Sequence, residues 1–334
     1  MPFQILSLSG GGFLGLYTIA VLAELEKKLG RPIATAFDLL AGTSVGGILA
    51  LGLAAEHSAE KIKSSFEEHG TRIFSDRPPP QSWPSELIDF FRSFRSSKYN
   101  SEGLRQTIVD VLGEETLIGD LKHPVLVPTV NLTKGKPQIF KTPHHPDFKR
   151  DYQLSAVDVA LATSAAPTYF PIAQINDEQF ADGGLYGNSP DLMALHEAEY
   201  FFKVPTDDIY ILSIGTTTSK FSIAHLEHRN LGIWGWKRRL SHTILSSQQL
   251  DVHYVVKQKL GDRYLRVDEV QSKEQERSLG LDVATQQAQK TIRGLASASF
   301  QNILNKPLLT KLLEHHAPPA HFHYSKNYSE EWSI

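Results

Sequence analysis

Three short stretches of this sequence hold residues whose types and spacing can do chemistry. In Gly42-Thr43-Ser44-Val45-Gly46 a serine hydroxyl stands between glycines in a G-x-S-x-G pattern. A serine oxygen becomes a useful nucleophile when a sharp turn exposes it and a neighbouring base takes its proton. In "FADGGLYGNSP" a carboxylate, Asp182, precedes two glycines that permit a tight turn. An aspartate of ordinary pKa, about 4, is a poor base for serine, so the pocket of Asp182 must keep it ionised and aligned on the hydroxyl. The third stretch, Gly10-Gly11-Gly12-Phe13-Leu14-Gly15, matches G-x-G-x-x-G. Its amides suit an anion, either the phosphate of a dinucleotide or the oxyanion of an ester under attack.

The elements around these stretches decide how they are read. "FQILSLS" is a short apolar strand that runs into the first glycine loop, and an amphipathic helix follows over 14–28, closed by Gly30 and Pro32. From Leu39 to Ala55 no residue is charged, which raises the question of a membrane span. The run is at the lower limit for a span, holds Gly42, Gly46, Gly47 and Gly52, and is closed at once by Asp38 and Glu56. A strand over 37–41, a turn at 42–46 and a helix over 47–55 fit better. Further elements are expected as helices near 59–69 and 102–112, strands in "PVLVPTVNL" and "PQIFKT", and a helix in "LSAVDVALATSAAP" stopped by Pro167. "QFADGG" ends a strand. Ser189-Pro190-Asp191 should open a helix, with Ser189 as cap and Asp191 at the positive dipole end. "DIYILSIG" and "RYLRV" read as late strands in a C-terminal third that is mostly helical over 240–315.

Alternating strands and helices, with nearly continuous apolar strands, indicate an α/β fold with a mainly parallel central sheet covered on both faces. We expect a core over 1–215 with a helical insertion near 75–112, and a mostly helical part over 216–334 packed on the same domain. In this setting the serine pentapeptide lies at a strand-to-helix corner, the context a nucleophile elbow requires. The dinucleotide reading of Gly10–Gly15 is weaker, because a second strand serving it should end in an acid, whereas this one begins with Asp38 and ends in the serine corner. Neighbouring strands end at one edge, so the amides of Gly10, Gly11 and Gly12 can converge on a carbonyl attacked by Ser44 and serve as its oxyanion hole.

Composition narrows the alternatives. The chain has 334 residues, a net charge of −3 and no cysteine. It therefore forms no disulfide and no thiolate site, and nothing marks it as a general binder of DNA or RNA. The N-terminus has no basic region and no small-residue cleavage site after an apolar core, so no export signal is expected and a cytoplasmic location is the default. The chain has 14 histidines, and His242, His253, His315, His316, His321 and His323 are among those placed in the order a Ser–acid–His triad would use, but several fall in the helical tail away from any strand end.

"SGGGFLG", "GTSVGG" and "DGGLYGNSP", in that order, together with "ALATSAAPTYFPI", resemble the patatin-like phospholipase family over roughly residues 3–215. The resemblance implies a three-layer α/β/α fold and a Ser–Asp dyad without histidine, with Ser44 as nucleophile and Asp182 as base. It also implies oxyanion donors from Gly10, Gly11 and Gly12, and calcium-independent cleavage of acyl esters in membrane phospholipids with no cofactor. "GNSP" departs mildly from the family pattern at Ser189. The block over 141–171 and "GDRYLRV" are similar to bacterial phospholipases that act in anti-phage signalling. Those enzymes stay latent until a cyclic dinucleotide binds and then attack the inner face of the membrane, and self-association is one route to activation. An unregulated housekeeping lipid acyl hydrolase would carry the same dyad, and a nucleotide-binding module using Gly10–Gly15 is the alternative from another class.

Two further segments have both a functional and an ordinary reading. "SELIDFFRSFRSSKY" aligns Leu87, Phe91 and Phe94 beside Arg92, Arg95 and Lys98, as an interfacial lid or simply as a packed surface helix. "LGIWGWKRRL" groups Trp234 and Trp236 with Lys237, Arg238 and Arg239, able to stack a base and pair a phosphate, or to pack with a solvated basic end. The adjacent His144 and His145 have no third ligand at useful spacing, so a metal site is not expected there.

Overall fold

A computed structural model describes residues 2–74, 97–217, 236 and 238–325. The first unit is β1 (Phe3–Leu8), α1 (Gly15–Leu29), β2 (Leu39–Gly42) and α2 (Val45–Ala54), followed by α3 (Ala59–Ile73) and α4 (Glu102–Leu112). A hairpin of β3 (Val125–Asn131) and β4 (Lys136–Lys141) leads to α5 (Ala156–Thr163), β5 (Ala173–Ile175) and β6 (Glu178–Asp182). Then come a single turn α6 (Gly184–Gly187), α7 (Asp191–Tyr200) and β7 (Ile209–Ile214). The chain closes with α8 (Arg238–Leu260), β8 (Tyr264–Val267), α9 (Lys273–Ser278), α10 (Gln286–Ile303) and α11 (Pro307–Glu314).

Strands β3, β2, β1, β7 and β8 lie side by side and run parallel. Alternate residues of these strands feed separate cores, as the period of two requires. Leu6, Leu8, Leu212 and Ile214 face one core, built with α1, α2, α3 and α10. Ile5, Ile209 and Ile211 face the other, built with Ala194, Leu195 and Ala198 of α7 and Val256 and Leu260 of α8. The result is three layers, α/β/α. Strand β8 adds to the sheet, and α8 and α10 cover opposite faces of it.

The parallel order stops at β3. Strand β4 takes one edge of β3 over Leu126–Asn131 in antiparallel register. The other edge is shared: β2 occupies it as far as Ala41 opposite Leu126, and β6, arriving antiparallel, occupies it from Asn131 back to Thr129, opposite Asp182. Two strands thus approach one another head-on along a single edge, and their C-terminal ends meet. Pro128 stands in the gap between them, where its missing N–H costs no ladder bond and its carbonyl accepts Thr163 Oγ1 at 2.6 Å.

Three local expectations change. Helix α5 ends at Thr163, well before Pro167, because residues 164–166 turn back to the end of β6. Helix α7 begins at Asp191 with Pro190 in the cap position, and Ser189 caps nothing. Its hydroxyl donates instead to Asp191 Oδ1 at 3.2 Å. The uncharged run over 39–55 is a strand, a corner and a buried helix, and among the described residues no helix is long and apolar enough to cross a membrane.

Candidate active site

Strand β2 ends at Gly42 and α2 begins at Val45, so Thr43 and Ser44 alone make the corner. Ser44 has φ 55° and ψ −127°, a backbone state that costs a non-glycine residue about 1–3 kcal/mol and persists only where the surroundings impose it. They do so here. A Cβ on Gly46 would collide with the Leu8 carbonyl oxygen, so only glycine lets α2 cross so close to β1. Ser44 N donates to Thr163 Oγ1 at 3.0 Å, and Thr43 Oγ1 donates to Gly187 O at 2.7 Å.

Across the gap, Ser44 Oγ donates to Asp182 Oδ2 at 2.7 Å. The other carboxylate oxygen, Oδ1, accepts the Gly184 amide at 2.7 Å, and the Asp182 amide donates to Ala165 O at 3.0 Å. Both side chains are buried, with Ser44 9% and Asp182 6% exposed. Burial dominates the electrostatics of Asp182 and pushes its carboxyl up to about 6, against the opposing pull of the Gly184 amide and the Ser44 hydroxyl. The pocket therefore disfavours the ionised carboxylate, against the expectation that it would hold it ionised. At neutral pH it holds an anion with a raised proton affinity, aligned on the serine hydroxyl.

The glycine loop abuts this pair: a Cβ on Gly10 would lie 3.1 Å from Ser44 Cβ. The three loop amides are not equivalent. Gly10 N donates to Asn188 O at 3.0 Å, so Gly10 is removed from the expected oxyanion donors. The Gly11 and Gly12 amides have no partner among the described residues, and the next amide, of Phe13, donates to Leu281 O at 2.7 Å. Nor does the loop suit a dinucleotide, since the amides of Gly10, Phe13, Leu14 and Gly15 are all taken and β2 ends in the serine corner rather than in an acid.

Residues 6–195 match the family described as "Patatin-like phospholipase". The chain belongs to that family. Among its relatives is a cGAMP-activated phospholipase of Pseudomonas aeruginosa (strain BWHPSA011 / Pa011), 42% identical over 327 residues, which cover 97% of this chain and 96% of the relative. A cGAMP-activated phospholipase of Escherichia coli (strain TW11681) is 39% identical, covering 91% of each chain. One from Vibrio cholerae serotype O1 is 43% identical over 74% of each. This patatin-like phospholipase is accordingly an enzyme that hydrolyses the acyl esters of phospholipids.

Among the described residues, no histidine hydrogen-bonds to Ser44 or Asp182. His253 lies behind the site, its Nε2 3.1 Å from Ser189 Oγ, and burial holds its pKa down to about 4. His315 bonds Asp38 Oδ2 at 2.9 Å, and His321 and His323 pack on each other in the C-terminal segment. His144 is buried, stacked on Phe202 and bonded to Glu197 Oε1 at 3.0 Å, and among the described residues no three candidate ligands converge on a metal. Residues 85–96 of the expected lid, together with Trp234 and Lys237, lie outside the described residues.

Sequence reasoning missed several groups that build the site. Thr163 carries the Ser44 amide, and its only sequence signal is its place in "ALATSAAP". Asn188 was noted within "GNSP" without the role its carbonyl has on Gly10. Asp191, expected at a helix dipole, is fully buried and accepts from Ser7 Oγ at 2.5 Å, Ser213 Oγ at 2.9 Å and Tyr264 OH at 2.5 Å. These three hydroxyls come from β1, β7 and β8, so Asp191 ties α7 to the three strands at the β8 end of the sheet.

Proposed function

We propose that this phospholipase works through Ser44 as nucleophile and Asp182 as general base, and that it is latent until a cyclic dinucleotide binds. The observation that carries the catalytic assignment is the 2.7 Å hydrogen bond from Ser44 Oγ to Asp182 Oδ2 at a strained corner. In the first step Ser44 Oγ attacks the acyl carbonyl while its proton passes to Asp182. The carbonyl oxygen becomes an oxyanion, stabilised by the Gly11 and Gly12 amides and by the N-terminus of α2. The intermediate collapses, the C–O bond to the glycerol breaks, and Asp182 returns the proton to the departing alkoxide. Water then attacks the acyl-serine, giving its proton to Asp182, and the fatty acid leaves as Ser44 Oγ is reprotonated.

Protein groups relay every proton and supply every oxyanion donor in this scheme, so hydrolysis should persist in a calcium chelator. The relatives named as cGAMP-activated, alignable over 74–97% of this chain, support a cyclic dinucleotide as the class of activator. Latency is also physically reasonable for an enzyme made in the cytoplasm that acts on the inner face of the membrane, as proposed here for an anti-phage effector. Self-association on activation belongs to the same proposal.

A serine-directed fluorophosphonate tests the site, and a panel of cyclic di- and trinucleotides with a fluorogenic phospholipid tests the control. Covalent labelling at Ser44 and a ~100-fold rise in hydrolysis with one nucleotide are expected, which requires the ligand to favour the active state by about 2.7 kcal/mol. Full activity without nucleotide, or no response across the panel despite labelling, would leave an unregulated lipid acyl hydrolase.

A further inference from the structure

Both peptide units that flank the Gly10 Cα are held. The Gly10 carbonyl accepts Thr216 Oγ1 at 3.0 Å and Asn188 Nδ2 at 3.3 Å, while the Gly10 N–H donates to Asn188 O at 3.0 Å. A trans peptide unit sends its C=O and the following N–H in opposite directions. Holding Gly10 O against Thr216 therefore sets the Gly11 N–H on the far edge, where it has no partner among the described residues. Thr216 also backs the loop sterically: a Cβ on Gly11 would lie 2.6 Å from Thr216 Cβ and 2.9 Å from Cγ2, and closer still to Oγ1.

The turn that presents Thr216 is itself over-determined. After β7, Gly215 N donates to Val267 O at 2.8 Å and Gly215 O accepts Thr18 Oγ1 at 2.7 Å. Thr217 has φ 68°, a state a β-branched residue adopts only under constraint. Its amide donates to Asp268 Oδ1 at 3.1 Å, and Gln271 Nε2 donates to its hydroxyl at 2.7 Å. Asp268 pairs with Arg266 at 2.7 Å, and the other arm of that guanidinium reaches Ser9 Oγ at 3.0 Å, the residue that leads into the glycine loop. Strain held by this many tertiary bonds is the signature of a functional constraint rather than of an ordinary strand exit.

We propose that Thr216 is a positioning residue for the oxyanion hole: its hydroxyl locks the Gly10–Gly11 peptide so that the Gly11 amide faces the developing oxyanion. This rests on the reading of Ser44 as nucleophile with Gly11 as donor. Locking matters most in the transition state, because a donor fixed in advance costs no reorganisation when charge appears.

Thr216→Val removes the hydroxyl but keeps the shape, and Thr216→Ser restores the hydroxyl. Both are assayed on a short-chain nitrophenyl ester in the most active ligand state found. For Thr216→Val we expect kcat to fall by about 10- to 100-fold with KM nearly unchanged, and for Thr216→Ser we expect recovery to within about threefold of wild type. Affinity for a trifluoromethyl ketone, which forms a tetrahedral adduct on serine, should fall in step with kcat, whereas affinity for a non-hydrolysable ether phospholipid should not change. If Thr216→Val does not fold, Thr216→Ala is read by the same two affinities. Unchanged kcat, equal loss of both affinities, or a Thr216→Ser variant as impaired as Thr216→Val would overturn the proposal. Fluorophosphonate labelling keeps the two readings apart. A wild type that does not label at Ser44 breaks the nucleophile reading itself, whereas a labelled wild type with an unimpaired Thr216→Val removes only the clamp.

Discussion

Two buried carboxylates from one block of sequence, Asp182 and Asp191, are treated in opposite ways by the fold. Asp182 accepts from one hydroxyl and one amide, in a pocket whose burial lifts its carboxyl to about 6. Asp191 is buried more completely yet is surrounded by donors: Ser7, Ser189, Ser213 and Tyr264 all point hydroxyls at it. The difference teaches what a carboxylate base requires. A carboxylate whose oxygens are held by four hydroxyls from separate segments is a structural tie, whereas burial with one hydroxyl and one amide raises the proton affinity of Asp182, as a base requires. The same α/β frame holds both because β6 ends in the gap beside Ser44, while α7 starts where β1, β7 and β8 present their hydroxyls.

The largest effect expected at this site is that of Ser44→Ala. Turnover should fall by roughly a thousandfold or more, since nothing replaces the nucleophile, while the fold survives. Residual phospholipid hydrolysis above a tenth of wild type, in purified protein, would take Ser44 out of the mechanism.

Asp182→Asn should be nearly as inactive, yet more stable. Folding raises the pKa of Asp182, so it favours the protonated form, and the ionised form carries a cost that appears as pH rises through about 6. Asn is neutral throughout. The variant should therefore unfold at higher urea than wild type at pH 8, by up to about 2–3 kcal/mol, and the gain should vanish below pH ~4. The same titration predicts that wild-type kcat/KM falls tenfold per pH unit below about pH 6, as the base is protonated. A variant less stable than wild type at pH 8 would contradict the contrast drawn between the two carboxylates.

Asp191→Asn should change stability in the opposite direction. Replacing an acceptor oxygen with an amine strands at least one buried hydroxyl, and a loss of about 1–3 kcal/mol at pH 7 is expected from urea unfolding. Stabilisation instead would mean that Asp191, like Asp182, is held at a cost. The smallest effect belongs to His253→Gln, whose turnover should stay within about tenfold of wild type, because the imidazole touches Ser189 behind the site rather than Ser44. A His253 variant as inactive as Ser44→Ala, with native stability, would restore a triad.

Much of the site was legible because it depends on local backbone demands. A strand end, G-x-S-x-G and a helix start can hardly form anything but a tight corner, and Asp182 followed by two glycines marks a turn at a strand end. The fold class followed from apolar strands alternating with amphipathic helices. What could not be read was set by contacts between distant segments. The antiparallel return of β6 along the edge of β3 already used by β2 depends on register, which apolar content does not specify. The capture of the Gly10 amide by Asn188 likewise joins residues far apart in the chain.

By itself the amino-acid sequence determined which atoms are available and where the backbone must turn: the glycines that let α2 cross β1, the serine on the corner and the aspartate before its turn. Only the tertiary structure decided how those atoms behave. It brought two strand ends together in one gap, and it tied the Gly10 amide to Asn188 while leaving those of Gly11 and Gly12 without a partner among the described residues. By burying Asp182 with two hydrogen bonds while surrounding Asp191 with hydroxyls, it also raised the proton affinity of one carboxylate and made the other a fastening. The physical reason is that proton affinity and donor direction depend on solvent exclusion and on partners from distant segments, neither of which exists until the chain has folded.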